Sequence, residues 1–345
     1  MRTPSEPAPP ERRRLVADRG DAAVRLDAVL ERRLGDRPDA SRTRIQRWIA
    51  AGRVAVNGVT ARRAAQRVPT AACIDVALPA LPARLAPEAE PRPLVVLYED
   101  AHVVAIDKPA GLVAHPSLGH PRGTVYNALL WHARGWAAGA RPQLVHRLDK
   151  QTSGVLLVAK AAPAHAALLR ALDQGLLDKH YLTLVCGRVE PARGELSWPL
   201  QRDPGDRRRM IAAAGGKPCR TRYALLGASR TPGDAVSLLT CELLTGRMHQ
   251  IRAHLATAGW PIVGDQTYGP ALRPVTGNHR LDALLAAFPR QALHAWRLSF
   301  PHPVTGERIA VTAPVPEDLA ELLEVAGLLH EVGQPTSRPV GHGQT

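Results

Sequence analysis

The sequence predicts an α+β fold in which a small N-terminal module precedes a larger domain with a mainly antiparallel or mixed central sheet. The chain has 345 residues, and at roughly 150 residues per domain this length favours two domains. Apolar, strand-like runs outnumber helical stretches and rarely alternate strictly with them, which disfavours a doubly wound parallel sheet. A proline-rich stretch, residues 79–93, separates two regions that differ in their pattern of apolar and charged residues, and it is predicted to be a semi-rigid linker.

Both ends of the chain are predicted to be disordered. Residues 1–20 are polar and rich in proline, with three consecutive arginines at 12–14, and are interpreted as a mobile basic tail. Residues 331–345 contain glycine and proline, match no pattern, and are interpreted as a second disordered tail.

Residues 21–78 are predicted to form a compact basic module of two helices and a few short strands. The first helix places leucine and valine on one face and stops at Gly35. The second begins at Ser41, a good N-cap, and runs to Gly52. The Asn57-Gly58 pair after a short alternating stretch predicts a hairpin. Basic residues surround the second helix: Arg42, Arg44, Arg47 and Arg53.

Residues 94–330 are predicted to form the larger domain. Strands are predicted at Leu94–Tyr98, Val103–Ile106, Gly154–Ala159, Tyr181–Val185, Val236–Leu243 and Arg297–Phe300. Helices are predicted at Val125–His132, Pro163–Gln174, His249–Ala258 and Pro316–Leu329.

Charge and cysteine usage narrow the function classes. The formal net charge is +14, and residues 1–92 supply +7 of it, with 18 arginines against 11 acidic residues. Such a basic surface attracts polyanions and so favours nucleic acid, although a solvated surface explains the charge equally well. The four cysteines lie far apart without a CxxC pair, which disfavours a zinc site or a disulfide framework. Without a secretory signal or an apolar run of about 18 residues, the protein is predicted to be cytoplasmic.

A polar segment between two apolar runs is the first candidate for catalytic residues. Residues 144–160 read LVHRLDKQTSGVLLVAK, with Asp149 between Arg147 and Lys150. Neighbouring cations hold a carboxylate ionised, as a nucleophile requires. An ordinary turn made by Asp149 with the following Thr-Ser pair explains the same residues without catalysis, and the segment alone favours that plainer interpretation. Signatures of phosphate-binding loops, dinucleotide folds, serine hydrolases and zinc proteases are absent.

A second segment, residues 244–255, reads LTGRMHQIRAHL. A strand ends there, a Thr-Gly turn follows, and a helix is predicted to open with Arg247, His249 and Arg252. Arginines at a helix start oppose the helix dipole, an arrangement that favours a bound anion over stability. A solvated basic helix start is the alternative. Tyr181, considered by itself, is typical of a half-buried strand tyrosine.

Together, these segments resemble the RluA-type pseudouridine synthases. The matching motifs occur in the family's order: DKPAGL at 107–112, HRLDKQTSG at 146–154, KHY at 179–181, TGRMHQIR at 245–252, GWPIVGD at 259–265, and LHA with FPHP at 293–295 and 300–303. The N-terminal module, with GRVAVNG at 52–58, resembles the α-L RNA-binding domain that many members of this family carry.

The resemblance implies an enzyme that isomerises uridine to pseudouridine in structured RNA, with no cofactor or metal. The target uridine is buried by stacking and must be flipped into a pocket. Asp149 is implied as the nucleophile, attacking either the base or the anomeric carbon, with Arg252 paired to it. Tyr181 is implied to stack on the base, and removal of the C5 proton is a second role that the resemblance offers for it. Substrate-binding roles are implied for Arg147, His146, Arg247 and His249. RNA contacts of the α-L domain are implied for Arg42, Arg44, Arg47 and Arg53.

Large-subunit ribosomal RNA is the expected substrate, and transfer RNA is the alternative. One rival interpretation is a catalytically silent RNA-binding or ribosome-assembly factor, which has no reason to keep Asp149, Tyr181 and Arg252 together. Another is a carboxylate-dependent hydrolase, which needs a second carboxylate near Asp149; Asp107 and Asp265 are the candidates. No exposed apolar stripe suggests an interface, so a monomer that touches neither membrane nor metal is expected.

Overall fold

The computed structural model describes residues 11–35, 37, 40, 42–79, 87–117, 120–206, 208–229, 236–269 and 276–333. The chain divides into two compact units, Met1–Ala86 and Pro87–Thr345. No helix within the described ranges is both long enough and apolar enough to cross a membrane.

The N-terminal unit is a four-stranded antiparallel sheet with two helices. Its elements are β1 (Glu11–Val16), α1 (Leu26–Arg33), α2 (Arg42–Ala50), β2 (Val54–Val56), β3 (Val59–Thr60) and β4 (Cys73–Leu78), with strand order β1-β4-β2-β3. Leu26 and Leu30 of α1, and Ile45 and Ile49 of α2, are buried in one apolar core with Ile74 of β4. The four-residue spacing puts each pair on one helix face, which is why these short helices form.

The prediction of a mobile tail over residues 1–20 is wrong for residues 11–16. This segment is β1, which pairs antiparallel with β4 along its whole length. Arg14 Nε donates a 2.7 Å hydrogen bond to Asp75 Oδ1, and Leu15 packs against the core. An edge strand keeps charged side chains in water on one face, so an arginine run is compatible with pairing. Residues 1–10 and Ser41 lie outside the described residues.

The C-terminal unit contains the other twelve strands and five helices of the described residues. The strands are β5 (Val95–Glu99), β6 (Val103–Lys108), β7 (Gln143–Leu144), β8 (Ser153–Ala159), β9 (Asp178–Cys186), β10 (Arg193–Leu196), β11 (Leu200–Arg202), β12 (Met210–Ala212), β13 (Thr221–Ala228), β14 (Val236–Leu243), β15 (Leu293–Pro301) and β16 (Arg308–Thr312). The helices are α3 (Val125–His132), α4 (Ala162–Asp173), α5 (Gln250–Thr257), α6 (His279–Ala287) and α7 (Glu317–Val325). Two short 3-10 helices lie at Ala133–Gly135 and Leu329–Gly333.

The boundaries of this unit differ from the predicted ones at both ends. Residues 87–94 have no regular secondary structure, but the Glu90 carboxylate accepts a 3.0 Å hydrogen bond from the Gly123 amide, which ties them to this unit. Residues 80–86 of the predicted linker lie outside the described residues. The predicted C-terminal tail begins too early, because residues 331–333 belong to a 3-10 helix, and 334–345 are not described.

The central sheet is mixed, as the sequence predicts. Its main strand order is β10-β13-β14-β9-β15-β8-β6-β5, with β7 on β8 and β16 on β15. The pairing of β15 with β8 is parallel, and the other pairings are antiparallel. All seven residues of β8 are buried, because Leu156 and Val158 pack on one face of the sheet while Val155 and Leu157 pack on the other. This continuous apolar run fixes the strand that follows Asp149.

One glycine allows β8 and β15 to approach. Gly154 has a φ of +110°, and a Cβ built on it would lie 2.2 Å from the carbonyl oxygen of Ala295. The two strands are in register there, with Gly154 opposite Ala295 and Ser153 opposite His294. Any side chain at this position would push β15 away from the start of β8.

Gly154→Ala is expected to lower the free energy of unfolding by at least about 3 kcal/mol, because it adds a backbone clash to an unfavourable φ. The matched control is Gly139→Ala, since Gly139 also has a positive φ of +83° but has no atom within 4 Å of a built Cβ. That control should cost only the backbone term, about 1–2 kcal/mol. Urea unfolding of both variants measures the difference, and equal losses would contradict the close approach.

Candidate active site

Asp149 lies in the loop between β7 and β8, where a turn is closed by the main chain. The Thr152 amide donates a 3.1 Å hydrogen bond to the backbone oxygen of Asp149. Oδ2 of the Asp149 side chain instead accepts a 3.0 Å hydrogen bond from Arg252 Nη1. The plain turn and the functional carboxylate are therefore compatible, because different oxygens of Asp149 serve them.

Arg252 of α5 bridges two carboxylates. Its Nε and Nη2 donate hydrogen bonds of 2.7 and 2.9 Å to the two oxygens of Asp265, and its Nη1 reaches Asp149. The Asp265 side chain is fully buried and also accepts from the amides of Thr267 and Tyr268. The Arg252 side chain is 7% exposed and that of Asp149 is 25% exposed, so the bridge runs from the protein interior to the pocket.

The charges in this bridge stabilise each other. Burial alone would raise the pKa of Asp265, but the hydrogen bonds and charge of Arg252 lower it below its usual value. Burial alone would lower the pKa of Arg252, but Asp265 and then Asp149 raise it. Arg252 is therefore held as a cation by a buried anion, and this cation faces Asp149.

His249 approaches the same oxygen of Asp149 from another side. It precedes α5 with a left-handed φ of +53°, and its Nε2 lies 3.7 Å from Asp149 Oδ2. Its Nδ1 is 3.1 Å from the hydroxyl of Tyr268, which accepts a 2.6 Å hydrogen bond from the Met210 amide. Because an amide only donates, the Tyr268 hydroxyl can donate its proton to Nδ1, and a neutral ring in that arrangement carries its own proton on Nε2, which faces Asp149.

Gln250 orders the loop that leads into α5. Its Oε1 accepts from the Thr245 hydroxyl at 2.8 Å and from the Arg247 amide at 3.0 Å. Its Nε2 donates to the backbone oxygen of Arg220 and to the Thr221 hydroxyl, both at 2.9 Å. Gln250 is buried, so these bonds rigidly join the loop to β13.

Tyr181 of β9 forms part of the pocket in front of Asp149. Burial, and secondarily the Asp149 charge, raise the pKa of its phenol well above the usual range. The pocket is lined by Arg147, Leu148, Asp149, Thr152, Tyr181, Leu243, Arg247, His249, Gln250, Ile251, Arg252 and Leu293. It thus combines an apolar wall with one carboxylate and several cations.

Lys108 is a supporting residue that the sequence did not single out beyond its motif. It is fully buried at the end of β6, and its Nζ donates to the backbone oxygens of Pro109, Leu112 and Lys150, at 2.8, 3.0 and 3.2 Å. Burial lowers its pKa to about 7, against the raising effect of Asp149. A buried lysine at the end of an apolar strand was the available signal, since such a charge needs several acceptors.

The structure brings six of the seven predicted catalytic and substrate-binding residues to this pocket. Arg147 and Arg247 are exposed at its edge. Arg247 precedes α5, which begins at Gln250, so the prediction that it opens the helix is wrong. His146 is outside the lining: its Nε2 accepts a 3.2 Å hydrogen bond from the Leu157 amide, and burial lowers its pKa to about 4. Within the described ranges, no three His, Cys, Asp or Glu side chains could jointly hold a metal ion.

The predicted RNA-contacting arginines lie in the N-terminal unit. Arg44 and Arg47 are on α2, and Arg53 directly precedes β2. Arg42 Nε is 3.3 Å from Asp27 Oδ2, so its charge is partly neutralised within the unit. Arg47 and Arg53 are exposed, and Arg44 is partly exposed.

Comparison with known families and proteins gives consistent matches for both units. The family model described as RNA pseudouridylate synthase matches residues 102–257, and the S4 domain model matches residues 24–71. A protein named ribosomal large subunit pseudouridine synthase D from Xanthomonas campestris pv. campestris is 42% identical over 325 residues, covering 92% of this chain and 94% of that protein. A protein of the same name from Xylella fastidiosa is 43% identical over 307 residues, covering 88% and 89%.

A solved structure gives the same match for the fold. The human RNA pseudouridylate synthase domain containing 1 is 27% identical, with a TM-score of 0.53, and the match covers 69% of this chain and 89% of that one.

The stability of the region behind the pocket is expected to fall in acid because of His294. Its Nε2 lies 3.4 Å from the Ala313 oxygen and its Nδ1 lies 3.0 Å from the Ser153 hydroxyl, which suits a neutral ring with its proton on Nε2. Burial lowers its pKa to about 4. The unfolded chain takes up this proton near pH 6.5, so up to about 3 kcal/mol of stability is present above pH 6.5 and is lost as pH falls toward 4.

Urea unfolding at several pH values between 7.5 and 4 measures this loss. The stability difference between the wild type and His294→Asn should shrink as the pH falls, because the variant has no imidazole to protonate. The exposed His279→Asn serves as control, and its difference from the wild type should not change with pH. A constant difference for His294→Asn would contradict the assignment.

Proposed function

The chain belongs to the RluA-type family of RNA pseudouridine synthases, and on this basis we propose that it isomerises uridine at a structured site in large-subunit ribosomal RNA. The relatives at 42% and 43% identity are named for the ribosomal large subunit. The S4 match and the basic N-terminal unit support a large, structured RNA substrate. We expect the enzyme to act in the cytoplasm. No observation in the pocket favours transfer RNA specifically.

The pairing of Asp149 with Arg252 carries the proposed mechanism. In the reaction, the bond from N1 of uracil to the anomeric carbon breaks, a bond from C5 to that carbon forms, and the C5 proton is exchanged for one on N1. Asp149 acts as the nucleophile on the base or on the anomeric carbon. Arg252 and His249 both approach Oδ2, so we assign the attack to Oδ1.

Tyr181 is assigned to stacking on the flipped uracil. Its raised pKa makes it a neutral phenol at rest, and it therefore offers a buried ring rather than a phenolate base. Arg147 and Arg247, at the pocket edge, are assigned to the RNA around the flipped nucleotide. His146 is assigned to holding the loop against β8 rather than to substrate contact.

The rival interpretations have less support. A carboxylate-dependent hydrolase needs a second available carboxylate, but both oxygens of Asp265 are occupied by Arg252, and Oδ1 also accepts two amides. Asp107 is not among the residues that line the pocket. A silent binding factor would leave the costly buried bridge without a purpose.

Asp149→Asn is expected to reduce pseudouridine formation at least about 10³-fold, because an amide cannot act as the nucleophile. RNA binding should persist, since the change leaves the pocket shape intact. The measurement is pseudouridine mapping of total cellular RNA from a deletion strain complemented with the wild type or with Asp149→Asn.

The control is Asp173→Asn, which removes an exposed carboxylate at the end of α4 and should restore every site. Asp149-dependent sites in large-subunit ribosomal RNA would support the proposal. Sites found only in transfer RNA would refute the substrate, and sites that return with Asp149→Asn would refute the nucleophile.

The double variant Arg44→Gln/Arg47→Gln is expected to weaken RNA binding and to lower its salt dependence. Two lost phosphate contacts should reduce the slope of log K against log[salt] by about 1.4–1.8. Filter binding to a large-subunit ribosomal RNA transcript between 50 and 300 mM salt, roughly the range over which such slopes are measured, tests this. The control Arg170→Gln/Arg280→Gln removes the same charge from exposed positions of α4 and α6. Equal slopes for the two double variants would contradict the role of α2.

A further inference from the structure

The hairpin formed by β11 and β12 is attached directly to the active site. Its Met210 amide donates a 2.6 Å hydrogen bond to the Tyr268 hydroxyl, which in turn contacts His249. A small apolar cluster holds the hairpin against α5, and its buried members are Leu200, Met210, Cys219, Ala253 and Tyr268. Met210, the first residue of β12, is therefore held beside Tyr268.

Arg209 is the residue directly before β12, and its guanidinium lies over Tyr268. The guanidinium carbon is 5.5 Å from the ring centroid, while that of Arg252 is 5.1 Å from the same centroid. Two cations thus flank one aromatic ring, and one of them already holds Asp149. Arg209 belongs neither to a family motif quoted above nor to the residues that line the pocket.

The buried Nε of Arg209 has no hydrogen-bond partner among the described residues. The nearby carboxylate is Asp206, whose charge interacts with Arg209. Both oxygens of Asp206 are already bonded to the neighbouring Arg208, at 2.9 Å from Nε and 2.8 Å from Nη2. Arg208 is therefore paired within the protein, whereas Nε of Arg209 has no acceptor among the described residues.

The chemistry of that acceptor follows from the donor. A buried N–H without a partner is unfavourable, and a ligand that supplies an acceptor removes that cost. A planar guanidinium on an aromatic ring matches an oxyanion with two accepting oxygens, and in an RNA substrate that group is the backbone phosphate. Phosphate contacts of this kind position a nucleic acid without reading its bases.

We propose that Arg209 binds a backbone phosphate of the substrate RNA beside the flipped uridine, and so makes the β11–β12 hairpin part of the substrate-binding surface. This inference rests on the proposed function, because it takes RNA as the substrate. The hairpin then aligns the RNA strand, while Arg252, which contacts the same Tyr268 ring, aligns Asp149. The residue that binds the phosphate and the residue that positions Asp149 thus both pack on Tyr268.

The test compares Arg209→Gln with Arg208→Gln. The two arginines are adjacent, but only Arg208 is paired with a carboxylate, that of Asp206. Binding of the full-length protein to an in vitro transcript of bacterial large-subunit ribosomal RNA is measured at several salt concentrations. Arg209→Gln should raise the apparent Kd about tenfold and lower the slope of log K against log[salt] by about 0.7–0.9. Arg208→Gln should change the apparent Kd by no more than about twofold and should leave the salt slope unchanged. Arg209→Lys should restore most of the slope, because the slope depends on charge.

The single-turnover rate at saturating RNA separates binding from support of Tyr268. For Arg209→Gln this rate should stay within about threefold of the wild type, because Arg209 does not touch the reacting atoms in this proposal. An unchanged salt slope, with a lower thermal midpoint or a lower saturated rate, would overturn the inference and make Arg209 a support for Tyr268. If the wild type binds the transcript but forms no pseudouridine, the proposed function fails, while the slopes still decide the role of Arg209.

Discussion

The buried ion pair between Arg252 and Asp265 is the interaction on which the rest of the site depends. Burying a guanidinium without an anion is strongly unfavourable, and Asp265 supplies that anion with both oxygens. Only then can the third nitrogen of Arg252 reach outward to Asp149. Asp149 thus meets a cation whose position is determined inside the protein. A surface arginine would offer the same charge without the same direction.

The loop that carries Asp149, the other partner of this contact, is also held in place by the surrounding strands. The close parallel pairing of β8 and β15 at Gly154 sets where the Asp149 loop ends. The hydrogen bond from Lys108 Nζ to the Lys150 carbonyl joins that loop to the end of β6. Gln250 joins the loop before α5 to the residue that precedes β13, through hydrogen bonds with the Arg247 amide and the Arg220 carbonyl. Two loops distant in sequence are thereby held at hydrogen-bonding distance before any substrate binds, which is the preorganisation that catalysis requires.

Tyr268 links the Asp149 pocket to the β11–β12 hairpin. Its hydroxyl joins the β11–β12 hairpin to His249, and its ring lies beneath both Arg252 and Arg209. The rival hydrolase interpretation also loses its support here, since Asp265 is committed to Arg252 and to the backbone that carries Tyr268. A second carboxylate near a nucleophile can be a structural counter-ion, and only its hydrogen bonds distinguish that role from an acid or base.

The sequence by itself determined the α+β class, the mixed sheet and the buried strands with continuous apolar runs, because periodicity is a local property. Its contiguous motifs also led to the prediction of Asp149, Tyr181 and Arg252 as site residues, and the structure brings these three to one pocket. It did not predict β1, whose arginine run resembles a solvated tail until its pairing with β4 is known. The short strands β11 and β12 were missed for a similar reason, since three residues carry too weak a pattern. Only the tertiary structure decided that Asp265 pairs with Arg252, that His146 bonds to β8, and that Arg209 lies over Tyr268. These contacts join segments separated by many residues, and side-chain direction across such distances depends on how the whole sheet packs.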